Sequence, residues 1–109
     1  EPLDRRPPGL EEIALGADER RLLDGTPPGG RAEWLLRLWC AKEAVAKALG
    51  CGMLGGSSGL RVRALDAGSG RVSLSLAGEM AARFSGRAGQ PLAAFTGRDE
   101  DTVFAAALA

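Results

Sequence analysis

One long helical pattern that ends at a glycine-rich stretch is the feature that most constrains the fold. Between residue 31 and about Leu49, large apolar residues recur at steps of three and four, the spacing of one face of an α-helix. These apolar positions are Trp34, Leu35, Leu38, Trp39, Cys40, Val45, Ala48 and Leu49. Gly50 is a natural end for the helix, since glycine adopts the left-handed conformation that often follows a last turn. The segment GCGMLGGSSG after it is predicted to be a loop.

Two pairs of short segments follow the loop, and the first pair alternates apolar and polar residues with period two. LRVRAL and RVSLSLA lie on either side of DAGSG, while PLAAFTG and TVFAAALA lie on either side of RDED. Both pairs are typical of β-hairpins. GLEEIAL and ADERRLLDG predict two short helices before the long one, and GEMAARF predicts one or two helical turns. The sequence therefore predicts an α+β fold in which a long amphipathic helix packs on a small antiparallel sheet.

The composition excludes several classes of function. The 109 residues contain no histidine, which removes Ser-His-Asp and Cys-His catalysis and the usual zinc sites. Fourteen basic residues balance fourteen acidic ones, so nothing indicates binding to nucleic acid or to an anionic membrane. Two cysteines do not form a disulfide framework and no apolar run is long enough to span a bilayer, so we expect a cytoplasmic protein. Chemistry must then depend on carboxylates, cationic side chains, backbone amides or a hard metal ion.

The second half of the long helix carries charges among small residues. In WCAKEAVAKALG, Glu43 and Lys47 are four residues apart and share one helix face, with Lys42 beside them. The simplest interpretation is an exposed ion pair worth about 0.3–0.5 kcal/mol. The alternative is a ligand site, because alanines leave the surface around the charges bare and glycine amides can approach an anion. One carboxylate, two lysines and such a loop suit a magnesium ion and a pyrophosphate. The candidate amide donors are those of Gly50, Cys51 and Gly52.

The same stretch has a counterpart in a known family. WCAKEAVAKALGCG resembles the second signature of the 4'-phosphopantetheinyl transferase superfamily, which includes holo-acyl-carrier-protein synthases and Sfp-like enzymes. In that signature an aromatic residue precedes Lys-Glu-Ala or Lys-Glu-Ser, then a second lysine and Gly-x-Gly. The first signature ends a strand with Gly-Ile-Asp-x-Glu, and Glu1 stands where its glutamate would lie. DERRLL is similar to the family's Glu-x-x-x-Leu element, so the resemblance covers nearly the whole chain in order.

The resemblance implies an activity and assigns roles to residues. Members of the family move 4'-phosphopantetheine from coenzyme A to a serine of an acyl or peptidyl carrier protein, with magnesium, and release 3',5'-ADP. By this correspondence Glu1 and Glu43 are metal ligands, and Glu43 is also the proposed base. Lys47 contacts the pyrophosphate, and Lys42 lies close to the cofactor.

The resemblance leaves the architecture and the activity open. Residues 1–109 correspond to the C-terminal part of a 4'-phosphopantetheinyl transferase domain, without the upstream strand that carries the aspartate of the first signature. The expected assembly is a pseudo-dimer with a second half, or a homotrimer. The alternative to an enzyme is a non-catalytic module of the same fold that serves a structural role or docks a carrier protein.

Overall fold

The computed structural model describes residues 15–25, 30–50, 59–84, 86 and 92–108. Within them are three helices and four strands, numbered here in chain order. The helices are α1 (Ala17–Asp24), α2 (Arg31–Ala48) and α3 (Gly78–Arg83); the strands are β1 (Leu60–Leu65), β2 (Arg71–Leu76), β3 (Leu92–Asp99) and β4 (Thr102–Leu108). None of the described helices is long and apolar enough to cross a lipid bilayer. The predicted helix GLEEIAL lies outside the described residues, apart from Leu15.

The four strands form one antiparallel sheet in the order β1-β2-β3-β4. Both predicted hairpins are confirmed, because β1 pairs with β2 and β3 pairs with β4. The second hairpin has a tighter turn than the sequence predicted. Arg98 and Asp99 belong to β3, and Asp99 pairs with Thr102 across a two-residue turn.

One face of the sheet is covered by α2, which forms the centre of the core. Alternate strand residues point toward this helix, as the period-two pattern predicts, and Val72, Ala94 and Val103 are completely buried. From α2, Leu36 and Leu38 are also completely buried. Truncating either leucine to alanine is expected to cost about 2–5 kcal/mol of stability. The predicted α+β class, with a long helix on a small antiparallel sheet, is confirmed.

The buried side of α2 is wider than the predicted apolar stripe. Ala41 and Lys42 are completely buried, whereas Trp39 and Cys40 are half-buried and Ala48 is exposed. The reason is that α2 contacts α1 as well as the sheet, so that residues beyond the stripe are enclosed. The lysine at position 42 therefore lies inside the protein, although the sequence pattern suggested a charged surface.

The opposite face of the sheet is not covered by any described element. Three large apolar side chains, Phe95, Phe104 and Leu108, are between 43% and 46% exposed there. Cross-strand pairing places Phe104 directly over Gly97, where a Cβ atom would lie only 2.4 Å from the phenyl ring. Glycine at position 97 thus provides the space in which this ring lies flat on the sheet.

Candidate active site

The two side chains predicted to carry chemistry line the same groove. Glu43 and Lys47 lie one helical turn apart on α2, and the groove beside them has a volume of about 360 Å³. Cys40 and Ala44 complete the helix side of the groove, and residues 102–105 of β4 form its other wall. This volume falls within the range of about 300–1,000 Å³ that is typical of ligand pockets. The small side chain of Ala44 leaves the space between the two charged residues open.

The local sequence explains why these two side chains point into the groove. Residues four apart on an α-helix share a face, so Glu43 and Lys47 lie one above the other. The opposite face, with Val45 and Ala46, is buried in the core. Glu43 is half-buried and Lys47 is exposed, so the two charges lie at different depths in the same groove.

The end of α2 differs in part from the predicted phosphate-binding loop. Gly50 has the positive φ of 81° that favours glycine after a helix. Its amide donates a hydrogen bond of 3.0 Å to the Lys47 carbonyl oxygen. Gly50 thus ends the helix as predicted, and its role as a phosphate donor remains a prediction. Cys51 and Gly52 lie outside the described residues, as does Glu1, and their predicted roles remain predictions.

Lys42 has a different environment from the one that the family resemblance implied. Its side chain is completely buried, and its ammonium lies 2.9 Å and 3.1 Å from the two carboxylate oxygens of Glu19 in α1. An ammonium enclosed in this way does not line the groove of Glu43 and Lys47. The structure thus gives Lys42 a buried ion pair, and its predicted contact with the cofactor remains a prediction.

Burial and charge act on this ion pair in opposite directions. Desolvation lowers the pKa of Lys42 because it disfavours the charged ammonium, and the positive charge of Arg61 acts in the same direction. The hydrogen bond and the negative charge of Glu19 oppose that shift and favour the charged form. A lysine buried to this degree is tolerated when a carboxylate at hydrogen-bonding distance compensates its charge.

The donor set in the groove fits a magnesium ion that is shared with phosphate. The described residues contain no cluster of three or more acidic, cysteine or histidine side chains able to enclose a metal ion. Magnesium does not need such a cage, since it commonly binds one or two carboxylates together with substrate phosphates and water. Glu43 provides one carboxylate, and Lys47 provides a positive charge for phosphate oxygens.

A third group of charges lies at the other end of α2. Glu33 accepts hydrogen bonds of 2.8 Å from Arg98 and from Arg37, and the Arg37 guanidinium lies 4.6 Å from the centre of the Trp34 ring. Arg98 and, to a lesser degree, Arg37 lower the pKa of Glu33, although partial burial opposes the shift. Arg37 is therefore part of a network with Glu33 and Trp34 at this end of α2.

Two parts of the site were missed from sequence. Glu19 was noted only as part of DERRLL, yet it is the partner of Lys42 and is only 3% exposed. The wall formed by residues 102–105 was also missed, because strand order and helix placement bring β4 beside α2. A lysine within an otherwise apolar helix face is the one signal from which a buried acidic partner could have been predicted.

In α2, Lys-Glu is followed by three residues and a second lysine, and the helix lies beside an antiparallel sheet. A family model described as the 4'-phosphopantetheinyl transferase superfamily matches residues 1–103. The chain belongs to this superfamily. No curated protein and no solved structure gives a significant match to the chain.

Proposed function

We propose that this chain transfers 4'-phosphopantetheine from coenzyme A to a serine of an acyl or peptidyl carrier protein and releases 3',5'-ADP. The observation that carries the proposal is the placement of Glu43 and Lys47 in one groove, within a chain of this superfamily. We further propose that the reaction requires magnesium and takes place in the cytoplasm.

The proposed reaction is the attack of an alcohol on a phosphate. The serine oxygen forms a bond to the β-phosphorus of coenzyme A, and the bond from that phosphorus to the bridging oxygen of 3',5'-ADP breaks. Glu43 accepts the serine proton, directly or through one water molecule. Lys47 lies one turn further along the groove and stabilises negative charge on the phosphates and on the departing 3',5'-ADP.

The metal would be held by Glu43 and by the phosphates of the substrate. When bound, magnesium neutralises charge on the pyrophosphate and favours departure of 3',5'-ADP. The residues of this chain have a complementary role. The small side chain of Ala44 leaves room for the phosphates beside α2, and Lys47 would hold them close to Glu43.

A complete coenzyme A site requires more surface than this groove offers, and we propose that a second half or further copies supply it. The exposed Phe95, Phe104 and Leu108 support this proposal, because a contiguous apolar patch often marks an interface. Phe104 also lines the groove and so connects the patch to the site. Both a pseudo-dimer and a homotrimer agree with this arrangement.

The test is the modification of a carrier protein by the purified full-length protein that contains this chain. Apo carrier protein, coenzyme A and magnesium are incubated with it, and intact mass reports the gain of one phosphopantetheine group per carrier. A carrier whose acceptor serine is changed to alanine is the matched control. The expected result is modification of the serine form alone, with formation of 3',5'-ADP.

The second candidate function is a non-catalytic module that docks a carrier protein. It predicts binding of the carrier without consumption of coenzyme A. Carrier binding measured beside turnover distinguishes the two, since an enzyme must do both and a docking module only the first. Binding without any 3',5'-ADP at saturating coenzyme A and magnesium would replace the proposed activity with the docking role.

A further inference from the structure

The buried pair of Lys42 and Glu19 points to a further functional residue beside Glu43 and Lys47. We propose that Glu19 is a positioning residue: through Lys42 it fixes the rotation of α2 about its axis and thereby directs Glu43 into the groove. This inference rests on the proposed transferase function. Glu19 does not contact the substrate in this scheme, and Lys42 transmits its effect.

All four hydrogen-bonding positions of the Glu19 carboxylate are occupied. Oε1 accepts from the backbone amide of Gly16 at 2.9 Å and from Lys42 at 3.1 Å. Oε2 accepts from the backbone amide of Val62 at 2.7 Å and lies 2.9 Å from the same ammonium. The carboxylate is thus held by donors from the residue before α1, from β1 and from α2. The two donors outside α2 fix the carboxylate, which in turn holds Lys42.

The contacts of this carboxylate connect the parts of the fold that surround α2. Gly16 precedes the first turn of α1, Val62 lies within β1, and Lys42 lies in the second half of α2. Apolar packing alone tolerates small rotations of a helix, whereas a buried polar pair specifies one arrangement. Glu19 is therefore the point at which α1 and β1 determine how α2 is oriented.

Sequence adjacency transmits this constraint to the groove. Each residue of an α-helix is turned by about 100° from its neighbour, so the direction of residue 42 determines that of residue 43. With the Lys42 ammonium held inside the core, Glu43 must point toward the groove. A rotation that moved its carboxylate away would separate a fully enclosed lysine from its counterion, which is strongly unfavourable.

The central variant is Glu19→Gln, which keeps the size of the side chain and removes its charge. A glutamine amide cannot accept from all the donors around it, because its nitrogen is itself a donor. The matched control is Leu36→Ala, which removes a completely buried side chain from the same helix without affecting the Lys42 anchor. Each variant is measured at a temperature at which its melting curve shows it to be folded.

A positioning role predicts a loss of turnover per folded molecule. A displacement of about 1 Å in a reacting group can reduce the rate about 100-fold, so Glu19→Gln is expected to lower kcat by about 10- to 100-fold. The KM for coenzyme A should change much less, and Leu36→Ala should keep a kcat close to that of the parent. A parental kcat in folded Glu19→Gln would overturn the proposal.

A double-mutant cycle shows whether Glu19 acts through Glu43. If it does, Glu19→Gln has little further effect on kcat in a protein that already carries Glu43→Gln. If Glu19 has only a structural role, the two reductions in rate multiply. Multiplication of the two effects would therefore reject the positioning role, even if the single variant lost activity.

Hydrogen exchange tests the inference without any activity. Glu19→Gln is expected to accelerate amide exchange on the order of tenfold in residues 41–48, with a smaller change in residues 31–38. Leu36→Ala should show the reverse pattern. If the parent protein does not modify a carrier, the proposed function fails, and exchange alone decides on Glu19. Equal exchange in parent and Glu19→Gln would overturn its control of α2.

Discussion

Lys42 and Glu43 are neighbours in the chain, but they lie in opposite environments. Lys42 is completely enclosed and lies 2.9 Å from Glu19, whereas Glu43 is half-buried at the edge of an open groove. The inner charge is fixed by protein groups, and the outer one faces space that a ligand can occupy. The comparison agrees with the proposal that one charged motif serves two purposes, in which the lysine orients the helix and the glutamate takes part in the chemistry.

The strongest way to test this comparison is to remove the outer charge. Glu43→Gln preserves size and hydrogen bonding but removes the negative charge needed to bind a hard cation or accept a proton. Carrier modification is expected to fall by about 100- to 10,000-fold, the usual contribution of general acid–base catalysis. Thermal melting should be close to that of the parent, because this side chain is not part of the core.

The control for this variant is Glu33→Gln, which removes a glutamate from the same helix but outside the groove. It should retain most of the activity. Parental activity of Glu43→Gln at saturating magnesium would remove Glu43 from the mechanism.

Removing the charge of Lys42 should lower stability strongly, whereas removing that of Glu43 should lower activity and leave stability almost unchanged. Lys42→Met keeps the length of the side chain but leaves the Glu19 carboxylate buried without its counterion. Breaking a buried pair in this way typically costs about 3–5 kcal/mol. Denaturant unfolding measures the loss, and a midpoint equal to that of the parent would show that the pair contributes no stability.

Lys47 provides a second test of the comparison, because it lies with Glu43 in the groove and is exposed. Lys47→Ala should reduce stability by only about 0.3–0.5 kcal/mol, the contribution of an exposed helical ion pair. Its effect on transfer should be larger, about 100- to 1,000-fold, if it stabilises charge on the phosphates. Intact-mass assays at fixed magnesium and coenzyme A, beside a melting curve, measure both quantities. If the rate is unchanged, Lys47 is a solvated surface lysine.

The shared position of Glu43 and Lys47 on one helix face was predictable from sequence, and the burial of Lys42 was not. The four-residue spacing of Glu43 and Lys47 placed them together. The period-two segments around DAGSG predicted the first hairpin and the segments around the RDED turn predicted the second, because each of these signals is local. Lys42 pairs with a residue 23 positions earlier, so its burial depends on how α1 packs against α2. The β4 wall of the groove likewise depends on strand order, which hairpin patterns alone do not determine.

The smallest expected effect concerns the other end of α2, where Glu33 joins Arg37 and Arg98. The arginines lower the pKa of Glu33 below its ordinary value of 4.5, so the folded state favours its charged form. Its stabilising contribution is therefore complete above that value and is lost as the pH falls through the lower folded-state pKa. Denaturant unfolding at a series of acidic pH values should show a weaker dependence on pH for Glu33→Gln than for the parent. Asp66, whose pKa is lowered by its hydrogen bonds from Ser69 and Gly68, should leave part of the dependence in the variant. Parallel curves for parent and variant would show that this network does not stabilise the helix end that lies farthest from the groove.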